Sequence, residues 1–152
     1  MDAHRRSTRH PRAATAAAPA SSPRTRAQRL GDAGESAALA FLVARGLRPL
    51  ARNVRFKAGE LDLVMLDGEV LVFVEVRHRG RADFGAALDS IDARKARRIA
   101  LAATLYRQRH SQHGRRACRF DVVAFDGAGA RSAADAPTAA QWVRGAFTLD
   151  DL

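Results

Sequence analysis

Cysteine is nearly absent from this chain, and long apolar runs are missing from it. Cys118 is the only cysteine among 152 residues, so neither a disulfide within the chain nor a cysteine-based zinc cluster can form. A single thiol fits a reducing compartment, and we therefore expect a cytoplasmic protein. Because Cys118 sits in an apolar, strand-like run, we expect a buried and inert thiol. No run of about 18 apolar residues occurs, which excludes a membrane-spanning helix.

Lysine and aromatic residues are also scarce. Only Lys57 and Lys95 are lysines, so arginine supplies the remainder of the 26 basic residues. Against 16 acidic residues they give a formal net charge of +10, which suits a polyanionic partner such as nucleic acid and equally a solvated basic surface. One Trp, one Tyr and seven Phe are too few for a convincing base-stacking platform, since most lie in apolar segments.

The chain divides into a tail and one folded domain. Residues 1–26 combine arginine with Ala, Ser, Thr and Pro without periodicity and carry a single acid, Asp2, which predicts a disordered basic tail. The length fits one domain, which we place at residues 29–147. Residues 148–152 form a short C-terminal tail.

Hydrophobic periodicity predicts the order helix, three strands, helix, strand. The predicted elements are a helix over 36–45, strands over 50–56, 60–66 and 69–77, a long helix capped by Asp89 or Ser90 and ending near Gln112, a strand over 119–125 and a short edge strand over 141–144. Asp67-Gly68 predicts a two-residue hairpin turn between the second and third strands. This order predicts an α/β fold with a mixed sheet flanked by helices.

An acidic side chain interrupts the third predicted strand, which is otherwise almost continuously apolar. A buried ionised carboxylate such as Glu75 is costly unless it is paired or bound to a metal ion. With the predicted hairpin turn, Glu60 falls opposite Glu75, and Asp62 becomes a diagonal neighbour of Glu75. Glu60, Asp62, Glu75 and Arg77 should therefore project from one face of the sheet.

The first predicted helix adds a fourth acid, Glu35. It precedes Leu39 and Leu42 by four and seven residues, which places it on the sheet-facing side of the helix. A first-turn acid favoured by the helix dipole is the alternative. Several carboxylates beside a basic surface suit Mg²⁺ or Mn²⁺, which prefer oxygen ligands and can activate water next to a phosphate. An internal salt-bridge network through Arg77 is the other interpretation.

Several motifs occur in an order that resembles a known family. They are Gly31-x-x-Gly34-Glu35-x-x-Ala38, Arg52-Asn53, Gly59-Glu60-Leu61-Asp62-Leu63-Val64, Val72-Phe73-Val74-Glu75-Val76-Arg77-x-Arg79, Phe84-Gly85, Lys95-x-x-Arg98-Ile99, Arg119-Phe120-Asp121-Val122-Val123-Ala124-Phe125 and the segment from Trp142 to Phe147. Together they closely resemble the YraN-type uncharacterised bacterial protein family, which is similar to archaeal Holliday-junction resolvases and to the PD-(D/E)xK nuclease superfamily. The resemblance implies a restriction-endonuclease-like αβββαβ core and a Mg²⁺-dependent endonuclease acting on DNA, with branched recombination or repair intermediates as the expected substrates. A homodimer is a further expectation, because the resolvase relatives act as symmetric dimers.

Carried over by position, the resemblance implies that Glu35, Asp62 and Glu75 hold the metal ion, with Glu60 as a secondary candidate. The superfamily has a lysine two residues after the acid of the third strand, where this chain has Arg77. Arginine can stabilise charge on a phosphate but cannot lose a proton near neutral pH. A nucleic-acid-binding module with weakened or lost catalysis is therefore the alternative function, and a partner of a larger cytoplasmic machine is a third.

Lys95 is the candidate replacement for the missing lysine. It lies four residues from both Ile91 and Ile99, on the inward side of the second helix, although a helix residue whose ammonium simply reaches water would show the same spacing.

The same helix carries five arginines for which we predict phosphate contacts, with a solvated helix face as the alternative. They are Arg94, Arg97, Arg98, Arg107 and Arg109.

Overall fold

The computed structural model describes residues 25–79, 92–126 and 140–148. Its helices are α1 (Arg26–Val43) and α2 (Ala93–Arg109), with a short 3-10 helix at Ser111–His113. Its strands are β1 (Arg48–Phe56), β2 (Gly59–Asp67), β3 (Val70–Arg79), β4 (Cys118–Asp126) and β5 (Ala140–Phe147). The predicted αβββαβ order, including the edge strand after it, is confirmed. Outside the described residues lie the predicted tail up to residue 24, the Phe84-Gly85 motif and residues 149–152.

The five strands form one sheet in the order β1-β2-β3-β4-β5. The pair β3 and β4 is parallel, and α2 lies between them in the chain, as a parallel connection requires. The other three neighbouring pairs are antiparallel. The sheet is therefore mixed, as predicted. In the part of the chain that the structure describes, no helix is long and apolar enough to cross a membrane.

Each face of the sheet carries a helix and its own hydrophobic core. On one face, α2 contributes Ile99 and Tyr106 to a cluster with Phe73 and Phe120 of the central strands. On the other face, α1 contributes Ala38 and Leu42 to a second cluster, and most other members of this cluster lie on the strands. Strands covered on both faces need side chains that are apolar on both sides, which explains the continuous apolar run of β3. Cys118, at the start of β4, is only partly buried against the first cluster.

Helix α1 begins at Arg26, ten residues before the predicted start at Ser36. Glycine has a low helix propensity, so Gly31 and Gly34 did not indicate a helix here. Packing outweighs this low propensity in the folded protein. Gly34 is buried in line with Ala38 and Leu42 at four-residue spacing. At the other helix, the predicted caps Asp89 and Ser90 lie outside the described residues. Helix α2 is capped by Asp92, whose side chain accepts a hydrogen bond from the backbone N–H of Lys95 at 2.6 Å.

The predicted turn between β2 and β3 was wrong by one residue. Asp67 pairs with Val70, so the two turn residues are Gly68 and Glu69, with Gly68 at φ +58°. Glycine at the first of two turn residues is favoured in tight hairpins because it accepts positive φ. The register therefore moves by two residues, and its continuation beyond the pair Leu63↔Val74 brings Asp62 opposite Glu75. A shift of two leaves every side chain on its predicted face.

Candidate metal and nucleic-acid site

Two acidic side chains meet where β2 and β3 leave the core. Asp62 accepts a hydrogen bond from the backbone N–H of Val76 through Oδ2, at 2.8 Å. Burial raises the pKa of Asp62 to about 7, and the nearby charge of Glu75 adds to the effect, while the hydrogen bond from Val76 opposes it. The folded surroundings therefore disfavour the ionised form of Asp62.

Glu75 is almost completely buried and contacts two cationic groups. Its side chain is 8% exposed, and its Oε1 accepts a hydrogen bond from the Nζ of Lys95. The Nε of Arg77 lies 3.7 Å from the same oxygen. The partner that a buried carboxylate requires is thus present, and the inward placement predicted for Lys95 is confirmed by this contact.

Glu35 approaches Asp62 from the opposite helix layer. Its Oε2 is buried and has no hydrogen-bond partner among the described residues, and the Nη2 of Arg52 is 4.0 Å away. Burial raises the pKa of Glu35, whereas a hydrogen bond from Asn53 and the charge of Arg52 lower it. The sheet-facing position predicted for Glu35 is confirmed, since its side chain is 14% exposed.

The acids lie around two neighbouring clefts that share Asp62 and Glu60. One cleft of about 480 Å³ includes Glu35, and the other, of about 550 Å³, includes Glu75 and Lys95. The structure thus brings Asp62 and Glu75 together and places Glu35 on the far side of Asp62. Across residues 25–79, 92–126 and 140–148, no three His, Cys, Asp or Glu side chains are placed to hold one ion together.

The donor set nevertheless fits a hard divalent cation. Mg²⁺ commonly uses one or two protein carboxylates and keeps several water molecules, which Asp62 and Glu75 can satisfy as a pair. The buried Oε2 of Glu35, without a hydrogen-bond donor in the described part of the chain, is an acceptor available to a water of such an ion. Glu60 is more exposed and is paired with Arg55 at 2.9 Å, so it is the weakest of the candidate ligands.

The comparisons with known proteins identify the family. The model of the uncharacterised protein family UPF0102 matches residues 34–125. A UPF0102 protein of Pseudomonas putida is 53% identical over 119 residues, which cover 78% of this chain and 92% of the relative. A UPF0102 protein of Bordetella parapertussis is 49% identical over 150 residues, covering 96% of this chain and 77% of the relative. This chain belongs to the UPF0102 family.

The UPF0102 match includes the four acids of the site, helix α2 and the C-terminal part of α1. Glu35 lies at the start of the matched region, whereas β5 lies beyond its end. The family resemblance expected from the ordered motifs is therefore confirmed.

Three of the predicted phosphate-binding arginines are exposed at the start of α2. They are Arg94, Arg97 and Arg98, and two of them, Arg94 and Arg98, line the cleft of Glu75. Arg107 is different, because its Nη2 donates to the backbone carbonyl of Gly114 at 2.6 Å and so ties the helix end to the following loop. Arg109 is exposed and lies over the ring of Phe56.

A second buried acid, Asp121, was not among the predicted site residues. Its side chain is fully buried and accepts hydrogen bonds from the Nε of Arg119 at 2.8 Å and the Nε1 of Trp142 at 3.0 Å. The backbone N–H of Gly145 donates to it at 2.9 Å. The sequence feature that could have revealed Asp121 is an acidic residue inside an apolar strand, as at Glu75. Because each Asp121 oxygen is satisfied by these donors, this network joins β4 to β5 and leaves no ligand position.

Proposed function

We propose that this UPF0102 protein is a divalent-metal-dependent endonuclease that hydrolyses phosphodiester bonds in DNA. The observation that carries the proposal is a pair of carboxylates, buried Glu75 and half-buried Asp62, in a cleft whose other wall is basic. Paired carboxylates suit Mg²⁺ or Mn²⁺, and cationic groups around them suit a phosphate. A DNA substrate also agrees with the net charge of +10 and with the cytoplasmic location that we propose.

In this proposal Asp62 and Glu75 would hold the ion, and Glu35 would assist from the neighbouring cleft. The ion would supply a polarised water as the nucleophile and would stabilise negative charge on the phosphate. Arg77 lies close enough to Glu75 to stabilise the same charge, and as arginine it acts by electrostatics and not by giving up a proton.

The basic wall of the cleft would position the DNA backbone. Arg94 and Arg98 stand on the first turns of α2 beside the acids, and Arg97 is exposed on the same helix. Phosphate contacts of this kind fix the orientation of a duplex without reading its sequence. The preference for branched DNA and the homodimer rest on the resemblance to resolvases alone.

Cleavage assays with matched variants test the proposal. Labelled duplex, flap and four-way-junction DNA are incubated with the full chain and Mg²⁺ or Mn²⁺. We expect cleavage that is abolished by a chelator, because the chelator removes the ion. Glu75→Gln should reduce cleavage at least about 100-fold, because it removes one of the ligands of the ion. Glu69→Gln is the control, because it removes one acid from the exposed hairpin turn at the far end of β3. Equal cleavage by both variants would contradict the proposal.

A nucleic-acid-binding module without catalysis is the second candidate. It is favoured by Glu75, which already has two cationic partners, Lys95 and Arg77. This function predicts binding that weakens steeply with salt, no cleavage of any substrate, and equal DNA affinity for the parent and Glu75→Gln. The same set of proteins therefore separates the two candidates.

A further inference from the structure

The ammonium group of Lys95 lies on a carboxylate oxygen that the proposed metal ion would use. Its Nζ donates to Oε1 of Glu75, and the two groups meet inside the cleft that Asp62 also lines. The Lys95 side chain is 42% exposed, against 8% for Glu75. The carboxylate is therefore fixed in the interior, while the lysine reaches it from the solvent side.

A close backbone contact holds α2 in the position that permits this hydrogen bond. Gly59 at the start of β2 packs against the carbonyl of Arg98, and a Cβ on Gly59 would come within 2.7 Å of that oxygen. Lys95 lies three residues before Arg98, on the neighbouring helical turn. Buried Ile99 anchors the same stretch of helix. The placement of Lys95 beside Glu75 is thus a consequence of how tightly α2 approaches the sheet.

The charges around Glu75 balance without a metal ion. When both acids are ionised, Asp62 and Glu75 supply two negative charges, and Lys95 and Arg77 supply two positive charges. A divalent ion added to all four groups would leave a net charge of +2 in a partly buried cleft, which is unfavourable. Lys95 is the group that can leave, because its long flexible stem can carry the ammonium into water.

We propose that Lys95 occupies the metal position on Glu75 in the metal-free protein and competes with the divalent ion for this carboxylate. This inference rests on the proposed function. Once displaced into the water of the open cleft, which Arg94 and Arg98 also line, the ammonium would find a new partner in a DNA phosphate. Metal binding and phosphate binding therefore reinforce each other, because the phosphate stabilises the charge that the metal ion displaces.

The affinity of the full chain for Mn²⁺, measured by titration calorimetry without DNA, tests the competition. We expect Lys95→Met to bind Mn²⁺ at least about tenfold more tightly than the parent, because a charged hydrogen bond no longer has to be broken. Lys95→Gln keeps a neutral donor, and its affinity should fall between the two. Lys57→Met is the matched control. It removes the other lysine of the chain, which is exposed on the β1–β2 turn, and should change the affinity by less than about twofold.

The outcomes separate this inference from the proposed function. If Lys95→Met and Lys95→Gln bind Mn²⁺ no more tightly than Lys57→Met, competition by Lys95 is wrong, while the metal site itself stands. If neither the parent nor any variant binds Mn²⁺, the proposed function fails and the competition fails with it. Circular dichroism of each variant confirms folding, and the Lys95→Gln result decides the matter if Lys95→Met does not fold.

Discussion

Replacing Asp62 with asparagine should make the stability of this protein less dependent on pH. The pKa of Asp62 is raised from 3.8 to about 7, mainly by burial and then by Glu75. Between these two values the folded protein keeps a proton on Asp62 that the unfolded chain has lost. The free energy of unfolding of the parent therefore falls as the pH rises through this window and levels off above it. Asp62→Asn has no charge to bury and should lack this decrease.

The size of the effect follows from the two pKa values. A change from 3.8 to about 7 corresponds to at most about 4 kcal/mol, at about 1.4 kcal/mol for each pH unit. Solvent reaches part of the carboxyl, and we therefore expect about 2 kcal/mol. Relative to the parent, Asp62→Asn should gain this stability between about pH 4 and about pH 8.

Urea unfolding with a chelator present, followed by circular dichroism at both ends of this pH range, measures the difference. Glu69→Gln controls for the loss of one negative charge, because its side chain is 90% exposed at the hairpin turn. Saturating Mn²⁺ should stabilise the parent at the higher pH and leave Asp62→Asn unchanged. A difference between parent and Asp62→Asn that stays constant over the whole range would refute the reasoning, and so would an Asp62→Asn variant that is least stable at high pH.

Three further substitutions test the packing of the fold. Gly59→Ala should lower the free energy of unfolding by about 1–3 kcal/mol, because its methyl group would meet the carbonyl of Arg98. Gly31→Ala, which has open space around it in α1, should instead raise this free energy by about 0.5–1 kcal/mol; equal effects of the two would contradict the close approach of α2. Asp121→Asn removes the buried charge that faces Arg119, which keeps Asp67 as its other partner at 2.9 Å, and should cost about 2 kcal/mol. A loss below about 1 kcal/mol in urea unfolding would show that the network contributes little.

The sequence was sufficient to predict the central strands and the faces of their acids. The apolar run of β3 requires cover on both faces, and Glu75 within it requires a partner, which Lys95 and Arg77 provide. The error in the predicted hairpin turn does not change this conclusion. Strand side chains alternate with a period of two, so a register error of two residues still leaves Asp62 and Glu75 on one face.

The arrangement of the acids in two clefts could not be predicted from spacing. Helical periodicity places Glu35 toward the sheet, but it does not specify the face of the sheet on which α1 packs. Because α1 and α2 cover opposite faces, Glu35 reaches Asp62 from the side away from Glu75. The helix start at Arg26 was missed for a related reason, since the packing of Gly34 outweighs its low helix propensity.

The contact between Lys95 and Glu75 depends on a backbone contact that is distant in sequence. Periodicity predicted that Lys95 points inward, and this was correct. How far α2 approaches β2 is determined by Gly59 against the carbonyl of Arg98, which no local pattern reveals. Sequence reasoning could therefore nominate Lys95, while its hydrogen bond to Glu75 had to come from the structure.

The most direct test of the metal site is an anomalous-scattering map of crystals of the full chain soaked in Mn²⁺. We expect one peak between the carboxylates of Asp62 and Glu75, with the Lys95 ammonium moved away from Glu75. A map without a peak there, with Lys95 still bound to Glu75, would contradict the claim that these two acids form a metal site.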